Sequence, residues 1–155
     1  MDQTIEQLRV EMRYAQRLCQ RTARLYRRVQ TCSTFLSILA GSGALITLSA
    51  QMLPSATIAF ALAFAAFGAI NIAVRPADKV AQNEADVRKY AALILKSLQS
   101  TPDEARKLIA EARQSDTKEV EPLRNVAFND VMLEINRNDQ LIPLTLSQRM
   151  LGAIA

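Results

Sequence analysis

Residue types on which common enzyme sites depend are scarce in this sequence of 155 residues. It has no histidine, only 4 glycines and only 2 cysteines. Four scattered glycines do not make a phosphate-binding or dinucleotide-binding loop, and without histidine the commonest general base and the usual zinc ligands are missing. Cys19 and Cys32 are too far apart for a CxxC redox motif, so we interpret them as reduced packing residues. We therefore expect no enzymatic activity, no metal and no cofactor.

Charge is missing from the whole middle of the chain. No acidic or basic residue lies between Val29 and Val74, whereas the net charge of +4 arises entirely within residues 1–28, where arginines outnumber acids. These arginines are not interleaved with stacking aromatic residues. The basic segment therefore favours anchoring beside a membrane over binding to nucleic acid.

The uncharged stretch is too long for one membrane span of about 20 residues and fits two spans joined by a turn at Pro54. We predict spans over about residues 33–52 and 56–74. Because basic residues beside a span stay in the cytoplasm, we expect a multi-pass membrane protein with both termini cytoplasmic. A helical hairpin buried inside a large soluble complex is the alternative. The predicted positive-inside anchors are Arg21, Arg24, Arg27, Arg28, Arg75 and Lys79.

Apolar residues recur at alternating steps of three and four before and after the uncharged stretch, which is the heptad pattern of packed helices. If the chain folds back near residue 53, facing residues have numbers that add up to about 106, as for Met12 with Ile94 and Leu8 with Leu98. We expect a coiled-coil-like cytoplasmic stalk in which Glu84 pairs with Arg21 or Arg24. The predicted stalk residues are Tyr26, Glu84, Val87 and Ile94.

Small residues occupy the same register within the predicted spans. Small side chains allow the close backbone approach through which helices associate in lipid. The stripe on the first span also fits the lining of a narrow pore in an oligomer, and both interpretations stay open. The helix-packing or pore-lining candidates are Ser33, Ser37, Ala40, Gly43, Ala44, Thr47, Ala59, Ala63, Ala66 and Asn71.

The last third of the chain predicts additional helices. Thr101, Pro102 and Glu104 form a capping box that begins a helix ending near Gln114. Pro122 begins another helix, and a terminal amphipathic segment follows. Docking on the stalk, contact with another subunit and contact with the membrane surface are the alternatives for this region. Pro76 either kinks the return helix or begins a new one.

The sequence thus predicts an all-α fold with two regions. Residues 1–100 form an antiparallel two-helix transmembrane hairpin with its cytoplasmic coiled-coil-like stalk, and residues 101–155 form a cytoplasmic region of extra C-terminal helices.

This layout resembles a known family. An arginine-rich helix from Tyr14 to Arg28, two adjacent spans with a short outer loop, and a helix from Arg75 through Tyr90 to Leu98 resemble the SLATT domains, which are two-transmembrane effectors associated with SMODS and SLOG proteins of bacteria. The resemblance covers about residues 5–100, and the later segment Glu121-Pro-Leu-Arg-Asn-Val-Ala-Phe-Asn129 is similar to tails of such proteins.

The resemblance implies a homo-oligomeric, pore-forming effector that permeabilises the bacterial inner membrane in antiviral defence or another conflict system. It also implies a trigger from a separate sensor or nucleotide-signalling protein. Besides the lipid bilayer, the expected partners are therefore further copies of the chain and such a protein, with no nucleic acid. Two alternatives stay open, namely a passive membrane scaffold that presents its cytoplasmic helices to a soluble partner and a phage holin-like protein.

Overall fold

A computed structural model describes residues 4–41 and 54–155, with the backbone alone at residues 39–41, 54–61, 63 and 70. All regular structure in these ranges is helical, and they contain no strand, which confirms the all-α fold class. The helices are α1 (Ile5–Gly41), α2 (Pro54–Val74), α3 (Pro76–Lys96), α4 (Pro102–Gln114), α5 (Arg124–Glu134) and α6 (Leu146–Ile154), with 3-10 turns at Glu121–Leu123 and Asn138–Gln140.

The chain forms two compact units. The bundle unit contains Met1–Leu25 and Lys79–Ala155, and the central unit contains Tyr26–Asp78. The C-terminal helices α4, α5 and α6 therefore belong to the same compact unit as the two charged arms of the predicted stalk. Of the alternatives for these helices, docking on the stalk is the one that the structure shows.

The break between α2 and α3 lies at Arg75. This residue has a φ of 47°, in the left-handed region that residues other than glycine seldom adopt. Pro76 takes the first position of α3, where a missing N–H group leaves no hydrogen bond unmade. Pro76 thus begins a new helix instead of kinking a continuous one.

One core of the bundle unit lies between α1, α3 and α4. Met12 on α1 and Tyr90 on α3 are fully buried there, and Ile94 packs against the same cluster. Burial of a tyrosine ring removes a large apolar area from water, so Tyr90 is a main contributor to this core. The buried members of the cluster are Leu8, Met12, Tyr90, Ala105, Ile109 and Ala112.

A second core lies on another face of α1. Leu18 is buried there with Leu123 and Ala127, and Tyr14 meets the ring of Phe128 edge-on at 6.5 Å between centroids. The heptad pattern predicts one seam along α1, whereas the structure buries two of its faces. The reason is that α5 and α6 cover the face that the predicted seam leaves open.

Side-chain caps define where two helices of the bundle unit begin. The Thr101 hydroxyl accepts from the Glu104 backbone N–H while the Glu104 carboxylate accepts from the Thr101 N–H, which confirms the predicted capping box. The predicted end of this helix at Gln114 is confirmed as well. Thr145 and Gln148 form a second capping box at the start of α6, which the sequence analysis missed.

Candidate functional site

The surface of the central unit carries large apolar side chains. Leu62 and Ile72 are 66% and 80% exposed, and Phe35 and Ile38 are exposed as well. Large apolar side chains exposed together on one unit are typical of contact with protein or membrane. Within the part of the chain that the structure describes, none of the helices combines the length and the apolar content that a membrane span requires. The transmembrane hairpin itself stays a prediction.

Hydroxyl groups near the start of the predicted first span are bonded within their own helix. The Ser33 hydroxyl donates to the Gln30 carbonyl at 3.0 Å, and the Ser37 hydroxyl donates to the Ser33 carbonyl at 2.8 Å. Ser33 is buried and Ser37 is exposed. Such bonds back to the helix allow serine in an apolar environment without an unpaired hydroxyl.

The rest of the predicted packing or pore stripe is described only in part. Ala66 is exposed and Asn71 is half-buried on α2. The backbone of Ala40 lies in α1, and the backbones of Ala59 and Ala63 lie in α2. Because more than half of the stripe has no described side chain, the choice between packing and pore lining is untested. Gly43, Ala44 and Thr47 lie outside the described residues.

The predicted positive-inside anchors have different surroundings. Arg24, Arg27 and Arg28 are exposed on α1, and Lys79 is half-buried on α3. Arg75 is exposed beside the α2–α3 break, with 3.9 Å between its Nη1 and Asp78 Oδ2. An exposed arginine can reach a membrane surface more readily than a buried one, and the sixth predicted anchor, on α1, is not exposed.

That sixth anchor, Arg21, is held inside the bundle unit. Its Nε and Nη2 donate to the two carboxylate oxygens of Asp130 at 2.7 and 2.9 Å. Its Nη1 donates to the carbonyl oxygens of Gly152 and Ala155 at 2.9 and 3.0 Å. A guanidinium group at the last carbonyls of a helix satisfies acceptors that have no partner within the helix. Arg21 therefore ties α1 to α5 and to the end of α6.

Two contacts between the charged arms of the predicted stalk fit the predicted pairing. The Nη2 of Arg9 donates to the Ser97 carbonyl at 3.0 Å, and these two residue numbers add up to 106. Met12 and Ile94, another predicted pair, share one core cluster. Leu98 departs from the scheme, since it is 62% exposed. The reason is that α3 ends at Lys96, so Leu98 lies in a turn instead of on the helix face.

The buried face of α3 lies about one position away from the predicted one. Val87 and Glu84 are half-buried, and Tyr26 is half-buried in the central unit. Arg21, one of the two partners predicted for Glu84, instead binds Asp130. Because α4 and the segment after it cover one side of α3, the residues buried deepest on the part of α3 in the bundle unit are Asn83, Asp86 and Tyr90, and Ser97 is buried just beyond the end of the helix.

A polar network fastens that segment to α3. The Nζ of Lys89 lies 2.6 Å from Asp116 Oδ1 and 2.9 Å from Asp86 Oδ1. The Tyr90 hydroxyl donates to Asp116, and the Asp86 carboxylate accepts from the Thr117 N–H at 3.0 Å. The sequence analysis missed this network, because its acidic partner from the loop is more than twenty positions away along the chain.

The network sets the protonation of its members. Burial alone would lower the pKa of Lys89, but its hydrogen bonds with Asp116 and Asp86 outweigh that effect and raise the pKa above its ordinary value. Burial, followed by the hydrogen bond with Asp116, raises the pKa of Tyr90. A lysine kept protonated and a tyrosine kept neutral cannot serve as bases near neutral pH. The arrangement thus suits a structural network better than acid–base chemistry.

A cleft of about 380 Å³ opens beside this network. Its charges are matched internally, because Arg113 pairs with Glu11, Arg124 pairs with Glu119 and Asp116 pairs with Lys89. In residues 4–41 and 54–155, no group of three or more His, Cys, Asp or Glu side chains is placed to hold a metal ion. The residues that line the cleft are Tyr14, Ala15, Tyr90, Arg113, Asp116, Glu119 and Arg124.

A larger groove, of about 590 Å³, lies in the bundle unit between α1, the end of α3 and the end of α5. We call it the arginine groove, because Arg9, Arg13 and Arg137 line it together with a single acid, Glu6. The sequence offered one signal for it, since Arg9 and Arg13 are four positions apart and thus share a face of α1. Its other lining residues are Gln7, Val10, Ile94, Leu98, Met132, Ile135 and Gln140.

Comparison with known proteins assigns no family and no function to these features. No protein-family model, no curated protein and no solved structure matches the chain.

Proposed function

We propose that this chain is an integral membrane effector. Its uncharged hairpin inserts into the bacterial inner membrane with both termini in the cytoplasm. Several copies assemble and permeabilise the bilayer, and the bundle unit is the cytoplasmic part that receives the trigger from a separate protein.

The observation that carries the proposal is the coincidence of two properties in the central unit. Its sequence has no charged residue from Val29 to Val74, and several of the large side chains that the structure describes there, among them Leu62 and Ile72, are exposed. In water this surface would expose many apolar groups, whereas a bilayer would cover them without cost. Contact with lipid explains both properties.

Two further features support the same arrangement. The helix α1 continues without a break from the charged bundle unit to Gly41, so it can lead directly into a span. Arg24, Arg27 and Arg28 on one arm and Arg75 on the other flank the uncharged stretch. Basic residues on both arms favour the orientation in which both arms stay in the cytoplasm.

Insertion is tested by adding one charge to the central unit. Leu62 is 66% exposed, so Leu62→Asp should be tolerated in water, but a carboxylate near the middle of a span costs about 2.5 to 3.5 kcal/mol. Leu146→Asp on α6 is the matched control, since Leu146 is 79% exposed in the bundle unit. We expect L62D, and not L146D, to lower the fraction of protein retained in membranes after carbonate extraction. Equal retention of the two variants would contradict insertion.

Permeabilisation is tested with the purified chain in liposomes that contain a trapped dye. Dye release should rise with the protein-to-lipid ratio, and induced expression should depolarise cells. The variant L62D should release less dye at equal total protein, because less of it inserts. Absence of leakage at every density, with the protein retained in the membrane, would contradict the pore-forming part of the proposal.

One observation favours the second candidate, a passive membrane scaffold. Leu146, Met150 and Ile154 lie four positions apart on α6 and are exposed, so they form an apolar stripe that can contact a soluble partner. A scaffold would hold a partner through this stripe without any dye release. The two candidates are therefore separated by the liposome experiment.

A further inference from the structure

We propose that the arginine groove binds an acidic amphipathic helix of a partner protein. This inference concerns the bundle unit alone and goes beyond the proposed membrane function, because it holds whether or not the central unit enters a bilayer.

The floor of the arginine groove is apolar. Val10 on α1, Ile94 on α3, Met132 on α5 and Ile135 just after α5 line it, and Leu98 stands at its edge with 62% of its surface exposed. The volume of about 590 Å³ lies within the range of protein ligand sites. A helix that binds in a groove places apolar anchors at spacings of three and four on such a floor.

The rim of the groove has an excess of positive charge. The Nη1 of Arg9 lies 3.7 Å from Glu6 Oε1, and the Nε of Arg137 lies 3.4 Å from Asp139 Oδ1. Arg13 is exposed and, in the described ranges of the chain, forms no ion pair. Such a rim favours carboxylates in its occupant, because arginine binds them with two parallel hydrogen bonds.

The Arg9 side chain is held in place beside the groove, because its Nη2 donates to the Ser97 carbonyl at 3.0 Å. This bond fixes the position of one cationic group on the rim. The apolar floor and the cationic rim together fit an occupant with an apolar face bordered by carboxylates.

The experiment measures binding of two labelled peptides to the full-length chain in a neutral detergent. The first is a helical 18-residue peptide with leucines at spacings of three and four and glutamates on the flanking positions, and the second replaces every glutamate with lysine. We expect fluorescence anisotropy at low salt to show at least tenfold tighter binding of the glutamate peptide. Added salt should reduce that difference, because exposed charge pairs are screened.

Variants of the chain test whether the glutamate peptide binds in the arginine groove. The double variant R13E/R137E should weaken binding of the glutamate peptide about tenfold, whereas R149E, an equal change of charge at an exposed position of α6 outside the groove, should change it less than twofold. Leu98→Asp should also weaken binding, and since Leu98 is exposed, this variant keeps its fold even if the double variant does not.

Equal binding of the two peptides, or unchanged binding in both R13E/R137E and L98D, would overturn the proposal. Phosphatidylglycerol vesicles are the second probe. If they bind the chain through Arg13 and Arg137 while the glutamate peptide does not bind, the groove is a lipid site and the proposal is wrong. None of these outcomes depends on carbonate extraction or dye release, so failure here is distinct from failure of the membrane proposal.

Discussion

Arg21 on α1 and Asp130 on α5 form a two-pronged ion pair, with 2.7 Å between Nε and Oδ2 and 2.9 Å between Nη2 and Oδ1. Both side chains are about one-fifth exposed. The third nitrogen of the guanidinium group holds the carbonyls at the end of α6. One residue thus joins three helices of the bundle unit.

Replacement of Arg21 should therefore loosen α6. For Arg21→Ala we expect a loss of about 2 to 3 kcal/mol in the free energy of unfolding, because Asp130 and the two carbonyls lose a charged donor together. Arg21→Lys should recover only part of this, since a single ammonium group cannot span both carboxylate oxygens. Hydrogen exchange of the α6 amides and chemical unfolding measure the effect. The exposed Arg24→Ala is the control, and equal losses for R21A and R24A would contradict the assigned role.

The cap of α4 should be a local source of stability. Thr101→Ala removes the hydroxyl that accepts the Glu104 N–H, and such a substitution costs about 1 kcal/mol. The neighbouring Ser100→Ala, which removes only a hydroxyl bonded to the Lys96 carbonyl, should cost less than half as much. Thermal unfolding followed by circular dichroism distinguishes the two. A larger effect for S100A than for T101A would contradict this explanation of the helix start.

The Asp86–Lys89 pair predicts how stability depends on pH. Burial alone would raise the pKa of Asp86, but hydrogen bonds from Thr117 and Lys89 outweigh it, so the pKa lies below its ordinary 3.8. A depressed carboxylate pKa contributes stability that is present above pH 3.8 and is lost as the pH falls through the folded-state pKa. Asp86→Asn should therefore flatten the acid side of the stability profile, measured by urea unfolding.

On the alkaline side of the profile, stability is instead lost as the pH rises. The pKa of Lys89 is raised above 10.5, so its contribution is present below pH 10.5 and is lost as the pH rises through the folded-state pKa. The raised pKa of Tyr90 acts in the same direction, starting from an ordinary value of 10.0. Lys89→Met should reduce the alkaline loss and, because Lys89 also helps to lower the pKa of Asp86, should partly flatten the acid side as well. An unchanged alkaline side in both K89M and Y90F would contradict the network.

Cys19 should react slowly with thiol reagents in the folded chain. It is half-buried beside the first core, and burial raises its pKa to about 12. The thiolate is the reactive form, so little of it exists at neutral pH. In the variant Cys32→Ser, modification by N-ethylmaleimide at pH 7.5 should be at least about 100 times slower in the folded protein than in urea. Similar rates in the two conditions would contradict the burial of Cys19.

Local and periodic features of the fold were predictable from the sequence. A capping box depends on four adjacent residues, so Thr101, Glu104 and the end at Gln114 could be read directly. The antiparallel register follows from one fold-back point, and Arg9 and Ser97 obey it. The sequence did not predict that α3 ends before Leu98, because the end of this helix depends on how the following turn packs.

The candidate sites were less predictable. The prediction of Arg24, Arg27 and Arg28 as anchors follows from charge counting alone, but nothing along the chain shows that Arg21, in the same cluster, binds Asp130. Their separation exceeds one hundred positions, and neither local propensity nor helical periodicity reports contacts over such distances. The arginine groove was missed for the same reason, since its rim combines Arg13 with Arg137.

The sequence by itself determined the helical class, the uncharged middle between Val29 and Val74 and the spacing of apolar residues on α1, because these are properties of neighbours along one chain. Only the tertiary structure decided that α1 is buried on two faces and which carboxylate each cation meets. Those outcomes depend on packing between segments far apart in sequence, where burial and geometry select among partners of equal charge.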